Sequence, residues 1–137
     1  MARSSRPRRG LLDTSVVVGL DDIDPTHLPV EVAISAITLA ELSAGPHATT
    51  DPDERGRRQD RLQRTEAAFD PIPFDANAAR AYGRVFTAVA ATGRKARGAR
   101  AVDLLIAAVA LSAELPLYTR NASDFIGLEE LVDVVDL

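Results

Sequence analysis

The 137 residues, 46% of them hydrophobic and with a formal net charge of −4, suffice for one domain with a real core and are too few for two ordinary ones. The absence of cysteine excludes disulfides, thiolate nucleophiles and cysteine-ligated zinc, and the two histidines leave a zinc hydrolase short of nitrogen ligands. Four Phe, two Tyr and no Trp disfavour a base-stacking surface, and the negative charge disfavours a general nucleic-acid coat. No run approaches the roughly 18 apolar residues of a membrane span, so a cytoplasmic protein is expected.

Residues 1–9 hold Arg3, Arg6, Arg8 and Arg9 and read as a basic, flexible tail to a single domain spanning 1–137. Residues 10–18, GLLDTSVVV, form a short apolar strand ending near Asp13 and entering a turn or short helix. Asp21 to Pro29 reads as a loop. A second strand is expected from Val32 to Ile37, and Thr38 to Ala44 opens a helix that Gly45 and Pro46 close. Residues 53–69 form a charged helix, because Asp53 with Arg57, Glu54 with Arg58 and Asp60 with Arg64 fall at i,i+4 spacing.

A third strand fits Ile72 to Phe74. Ala78, Tyr82, Val85, Phe86 and Val89 then make one apolar stripe at helical period, started by Asp75 and stopped near Gly93. Beyond the basic loop GRKARGAR, residues 102–113 are apolar nearly all round, as expected of a helix buried against a sheet. Leu117 to Thr119 is a fourth strand, Asn121 to Phe125 a turn into a short helix, and Leu131 to Val135 a last strand. Short apolar strands alternating with helices predict an α/β chain, three-layered α/β/α, with a central parallel sheet of four to five strands. Its function should lie at the strands' carboxyl ends.

That rim is where Asp13, Glu41, Asp103 and Asp124 fall. Each acid alone has a structural account. Thr38-Leu39-Ala40-Glu41 matches a capping box, Asn121 and Asp124 share its spacing, Asp103 lies in the first turn of its predicted helix, and Asp13 can simply end a strand. Taken together they point elsewhere, since a parallel sheet would gather all four into one pocket. Gathered carboxylates repel unless a cation lies between them, and an all-oxygen set suits Mg2+ or Mn2+. Such an ion meets the requirements of phosphodiester hydrolysis with no protein nucleophile. Thr14, Ser15 and Asn121 are short polar partners suited to orienting ligands or waters.

With LLDTSVVV around Asp13, ITLAEL around Glu41, AVDLLIAAVAL around Asp103 and LYTRNASDF around Asn121 and Asp124, the chain resembles the PIN-domain family. Within that family it is most similar to VapC-type toxins of bacterial type II toxin–antitoxin systems. The motifs run in the family's order from residue 11 to 125. The resemblance implies a metal-dependent endoribonuclease, a homodimer, and neutralisation by a cognate VapB-type antitoxin. It also implies metal-binding, catalytic roles for the four acids and supporting roles for Thr14 and Asn121. The chain departs from the pattern in its basic start and in lacking a helical period after Leu20.

The basic residues divide by their neighbours. Arg55, Arg57, Arg58, Arg61 and Arg64 are interleaved with acids and read as a solvated helix face. Arg94, Lys95, Arg97 and Arg100 meet no acid before Asp103, so this loop is either an RNA phosphate contact or a plain exposed loop. That 15 of the 16 basic residues are arginine suits phosphate recognition and equally follows from GC-rich coding. A phosphoacceptor receiver domain would need a lysine beside its aspartate, whereas Lys95 lies in a loop. A haloacid-dehalogenase-type phosphatase would need an acid where Ser15 stands. The alternative of another class is a non-catalytic PIN-like module that binds RNA or protein, whose mark would be a missing acid.

Overall fold

The computed structural model describes residues 8–137. Its strands are β1 (Arg9–Leu12), β2 (Glu31–Ala33), β3 (Leu117–Thr119) and β4 (Val134–Asp136), and its helices are α1 (Thr14–Val18), α2 (Ala36–Ala44), α3 (Pro52–Ala68), α4 (Ala76–Ala91) and α5 (Ala99–Ala113). All strand pairs are parallel, in the order β2-β1-β3-β4. Leu11 pairs with Ala33 on one side and Leu117 on the other. The chain therefore winds outward from β1 in both directions, and the crevice between β1 and β3 opens at the carboxyl ends where the winding reverses.

Because successive strand residues face opposite ways, each strand feeds two cores. Leu11, Ala33 and Leu117 pack with Val85, Val89, Leu104 and Phe125 on the α4–α5 face. Leu12, Ile34 and Tyr118 pack with Val16 and Leu42 on the other, where Leu62 and Phe69 close the layer. This is the expected three-layer arrangement. The α4 helix starts as predicted, with Asp75 accepting a hydrogen bond from Ala78 N at 2.9 Å, and Ala78, Val85 and Val89 of the stripe are buried. Phe86, expected in the stripe, is instead exposed at its edge beside the Tyr82 ring, and Ala81 is buried.

Several elements differ from expectation. The tail expected over 1–9 is part structure, since Arg9 begins β1 and Arg8 pairs with Glu31 at 3.0 Å; Arg3 and Arg6 lie outside the described residues. The second strand stops at Ala33 because Ser35 starts the helix, its hydroxyl accepting from Thr38 N at 3.1 Å. Thr38 is thus the third helical residue rather than the cap, and the Thr38–Glu41 capping box does not form. The expected strand at 72–74 is reduced to one parallel bridge, Ser35 with Ile72. Ile72 donates to Ile34 O at 2.9 Å and accepts from Ala36 N at 2.8 Å, while Pro71 and Pro73 have no N–H with which to extend the ladder. The last strand starts late because residues 128–132 turn, burying Leu128 and Val132.

Close packing fixes one glycine. A Cβ on Gly10 would lie 2.5 Å from the buried Tyr118 ring and 2.9 Å from Pro29. We expect Gly10→Ala to lower unfolding free energy by about 1–3 kcal/mol through overpacking. Gly83→Ala, in α4 with open space around it, should raise it by about 0.4–1 kcal/mol. Urea unfolding of both variants checks the pair, and equal stability would contradict the packing account.

Candidate active site

Asp13 follows the last residue of β1 and is buried. Its Oδ1 accepts from Val16 N at 3.1 Å, capping α1, and from the Ser15 hydroxyl at 2.6 Å. Ser15 in turn accepts from Arg120 N at 3.1 Å, just past the end of β3. Both bonds use Oδ1, so Oδ2 is the oxygen left for a ligand. Thr14 donates to Glu41 Oε1 at 2.5 Å, and its hydroxyl lies 3.1 Å from that of buried Thr38. Thr38 and Ser35, which sequence reasoning passed over as site residues, therefore stand behind Thr14 and Glu41. The signal available was Thr38 three residues before Glu41, on the same face of α2.

Asp103 and Glu41 both lie in the second helical turn, since α5 begins at Ala99 and α2 at Ala36; neither helix has an acid in its first turn. The helix dipole, which acts within the first turn, therefore does not act on Asp103 as the predicted helix start implied. Its pKa is instead pushed up to about 6 from 3.8, first by burial and then by the charges of Asp124, Asp13 and Glu41, with Arg100 opposing. Asp13, Glu41 and Asp124 thus all act through space on Asp103 at the end of the β1–β3 crevice.

Asp124 lies in a 3-10 turn, Ala122–Phe125, whose start is fixed by backbone: Asp124 N donates to Asn121 O at 2.9 Å and Asn121 N to Thr119 Oγ1 at 3.0 Å. The Asn121 side chain caps nothing, so the second expected capping box is also absent and its amide faces solvent. Arg94 donates to Ser123 O at 2.9 Å and Arg100 to Asp124 O at 3.4 Å, so these two cations clamp the turn that carries Asp124. Lys95 and Arg97 are exposed and line, with Phe86 and Arg94, a cavity of about 510 Å³. A larger cavity of about 770 Å³ between α4 and residues 127–131 contains none of the four acids.

Among the described residues no three Asp, Glu or His side chains close into a compact ion cage. Hydrogen bonds hold Asp13 to the start of α1 and tie Glu41 of α2 to Thr14 of α1, and repulsion opposes closer approach. The set still fits a hard divalent cation, because every donor is oxygen and three further carboxylates act on the half-buried Asp103. No described helix is long and apolar enough to cross a membrane.

The PIN-domain family profile matches residues 10–127. Ribonuclease VapC5 of Mycobacterium tuberculosis is 37% identical over 134 residues, which are 96% of each chain. Ribonuclease VapC8 of the same species is 35% identical over 102 residues, 74% of this chain and 89% of the relative. Among solved structures, VapBC-5 of M. tuberculosis, a member of the VapBC family of toxin–antitoxin systems, superposes with a TM-score of 0.84. It is 36% identical, over 96% of this chain and 100% of that one.

The elevated Asp103 sets a pH dependence. Its folded pKa of about 6 exceeds the unfolded 3.8, so the folded state binds the extra proton. The group's favourable contribution is complete below about pH 4 and is lost as pH rises through 6. In EDTA, Asp103→Asn should therefore gain thermal stability relative to the parent as pH rises from 4 to 6, with the gain levelling above that. Melting curves of both proteins across this range check it, and a constant difference would contradict the clustering.

Proposed function

The chain belongs to the PIN-domain family, and from that premise we propose that it is a divalent-metal-dependent endoribonuclease, the toxin of a toxin–antitoxin pair. Support comes from a named ribonuclease relative that matches 96% of the chain and from the toxin–antitoxin assembly with the same fold. The observation that carries the catalytic reading is the raised Asp103 among three other acids. PIN-domain ribonucleases depend in general on a divalent metal, and Mg2+ or Mn2+ suits this oxygen set.

In this reading Asp13, Glu41, Asp103 and Asp124 hold the ion. When bound, it lowers the pKa of a coordinated water and balances charge on the phosphoryl oxygens. The chain's own groups do the positioning. Ser15 and Val16 N hold Oδ1 of Asp13 and leave Oδ2 for the ion, and Thr14 fixes one oxygen of Glu41 and leaves the other available. Asp103, whose pKa is raised to about 6, would be ionised when holding the ion. The unused amide of Asn121 is placed to orient a water or a phosphate oxygen. Arg94 and Arg100 use one donor each on the Asp124 turn, leaving guanidinium N–H groups for RNA phosphates, with exposed Lys95 and Arg97 beside them. The partners are RNA, a cognate VapB-type antitoxin and a second copy of the chain, within one cytoplasmic PIN domain.

Purified protein should cleave RNA with Mn2+ or Mg2+ and lose all cleavage in excess EDTA. Because Ser35, not Thr38 and Glu41, caps α2, Glu41→Gln should melt no lower than the parent in EDTA while losing roughly 100-fold or more of its activity. Gel-resolved cleavage of labelled RNA measures both. Undiminished cleavage in EDTA would overturn the metal mechanism, and full activity of Glu41→Gln would remove that residue from the site.

A further inference from the structure

Of the five arginines on α3, four have partners. Arg55 donates to Pro46 O and Thr49 O, Arg57 pairs with Glu54, Arg58 bonds Gly45 O and approaches Glu54, and Arg64 pairs with Asp60. Arg61 has none: among the described residues its guanidinium donates no hydrogen bond and has no carboxylate within 4.0 Å. It is nonetheless half-buried, one turn along from Arg58 on the edge of the face that packs Leu62 and Thr65 inward. A half-buried guanidinium whose donors meet no acceptor and no carboxylate within 4.0 Å keeps them available to an anion from outside.

Its surroundings say which anion. Arg61 lines a cavity of about 270 Å³ together with Thr14 and Glu41, two residues of the acid site, and Arg58. Arg58 is anchored to Gly45 and Glu54, so Arg61 supplies the free charge there. Arg94 and Arg100 approach the acids from the opposite face of the sheet, where α4 and α5 lie, through the turn bearing Asp124. The acids repel a polyanion, and a strand laid across them needs cations on each side of the cut.

We propose that Arg61 binds a backbone phosphate of the substrate strand adjacent to the scissile one, on the Glu41 side of the crevice, opposite Arg94 and Arg100. This rests on the nuclease reading. It makes Arg61 a substrate-binding residue that acts on affinity and not on the bond-breaking step, through a bidentate guanidinium–phosphate contact.

The test is fluorescence anisotropy of a labelled, cleavage-resistant phosphorothioate RNA of about 12 nucleotides, in Mn2+ over a range of KCl. Arg61→Ala should weaken binding roughly tenfold and reduce the log–log salt slope by about 0.7, the loss of one phosphate contact on a single strand. Arg61→Lys should keep the slope and recover part of the affinity, while Arg57→Ala, on the solvent side of the same helix, should match wild type. With cleavable RNA, Arg61→Ala should raise KM at nearly constant kcat. Melting temperatures equal to wild type establish that each variant is folded. Unchanged affinity and slope for folded Arg61→Ala, with wild type binding RNA, would overturn this assignment alone, as would a defect confined to antitoxin binding. Absence of RNA binding by wild type would overturn the nuclease reading and this inference with it.

Discussion

Repulsion among carboxylates at one rim of a parallel sheet is the constraint on which this structure turns. A sheet wound outward from β1 brings the end of each strand, and the helix after it, to one edge. Asp13, Glu41 and Asp124 arrive there from three separate segments, and Asp103 enters from α5. The consequence is visible in Asp103, whose pKa of about 6 reflects burial first and its three acid neighbours second. A fold that served only itself would gain by replacing Asp103 with an amide.

What holds these charges together is a layer of small polar groups. Ser15 links Asp13 to the backbone beyond β3, and the Ser35–Thr38–Thr14 series reaches Glu41 across two helices. None of these groups is charged, so each orients a carboxylate without cancelling it. The two arginines that bond the Asp124 turn do so through main-chain oxygens, which fixes the turn while leaving the acid's own oxygens uncommitted. Preorganisation of this kind is what a hard cation requires of its ligands.

The α4 stripe apart from Phe86, the Asp13 strand end and the nearly all-apolar α5 were legible because each follows from a local rule: helical period, strand length, or polarity on every side. That the segments carrying the four acids share a rim was legible as well, since alternating strands and helices leave one topology in which they meet at that edge. Helix starts were not. Thr38–Glu41 satisfies the capping pattern, but Ser35 three residues earlier takes the role, because the Ile72 bridge ties Ser35 and Ala36 at the sheet's edge. That tie is tertiary, and no local spacing reveals it. The same limit hid Arg61, whose sequence neighbourhood is as rich in acids as that of its fellow arginines; only the fold shows that those acids point to other partners.

The central claim is that the four carboxylates form one site whose charge a divalent cation balances. The most direct measurement is calorimetric titration of Mn2+ into the protein at pH 6 in two buffers of different ionisation enthalpy, which counts the protons released per ion bound. With Asp103 titrating near pH 6, the account predicts saturable binding with release of about half a proton from that group. Asp103→Asn should bind more weakly and release none from it. Binding of equal strength in Asp103→Asn, or the same proton count in both proteins, would contradict it.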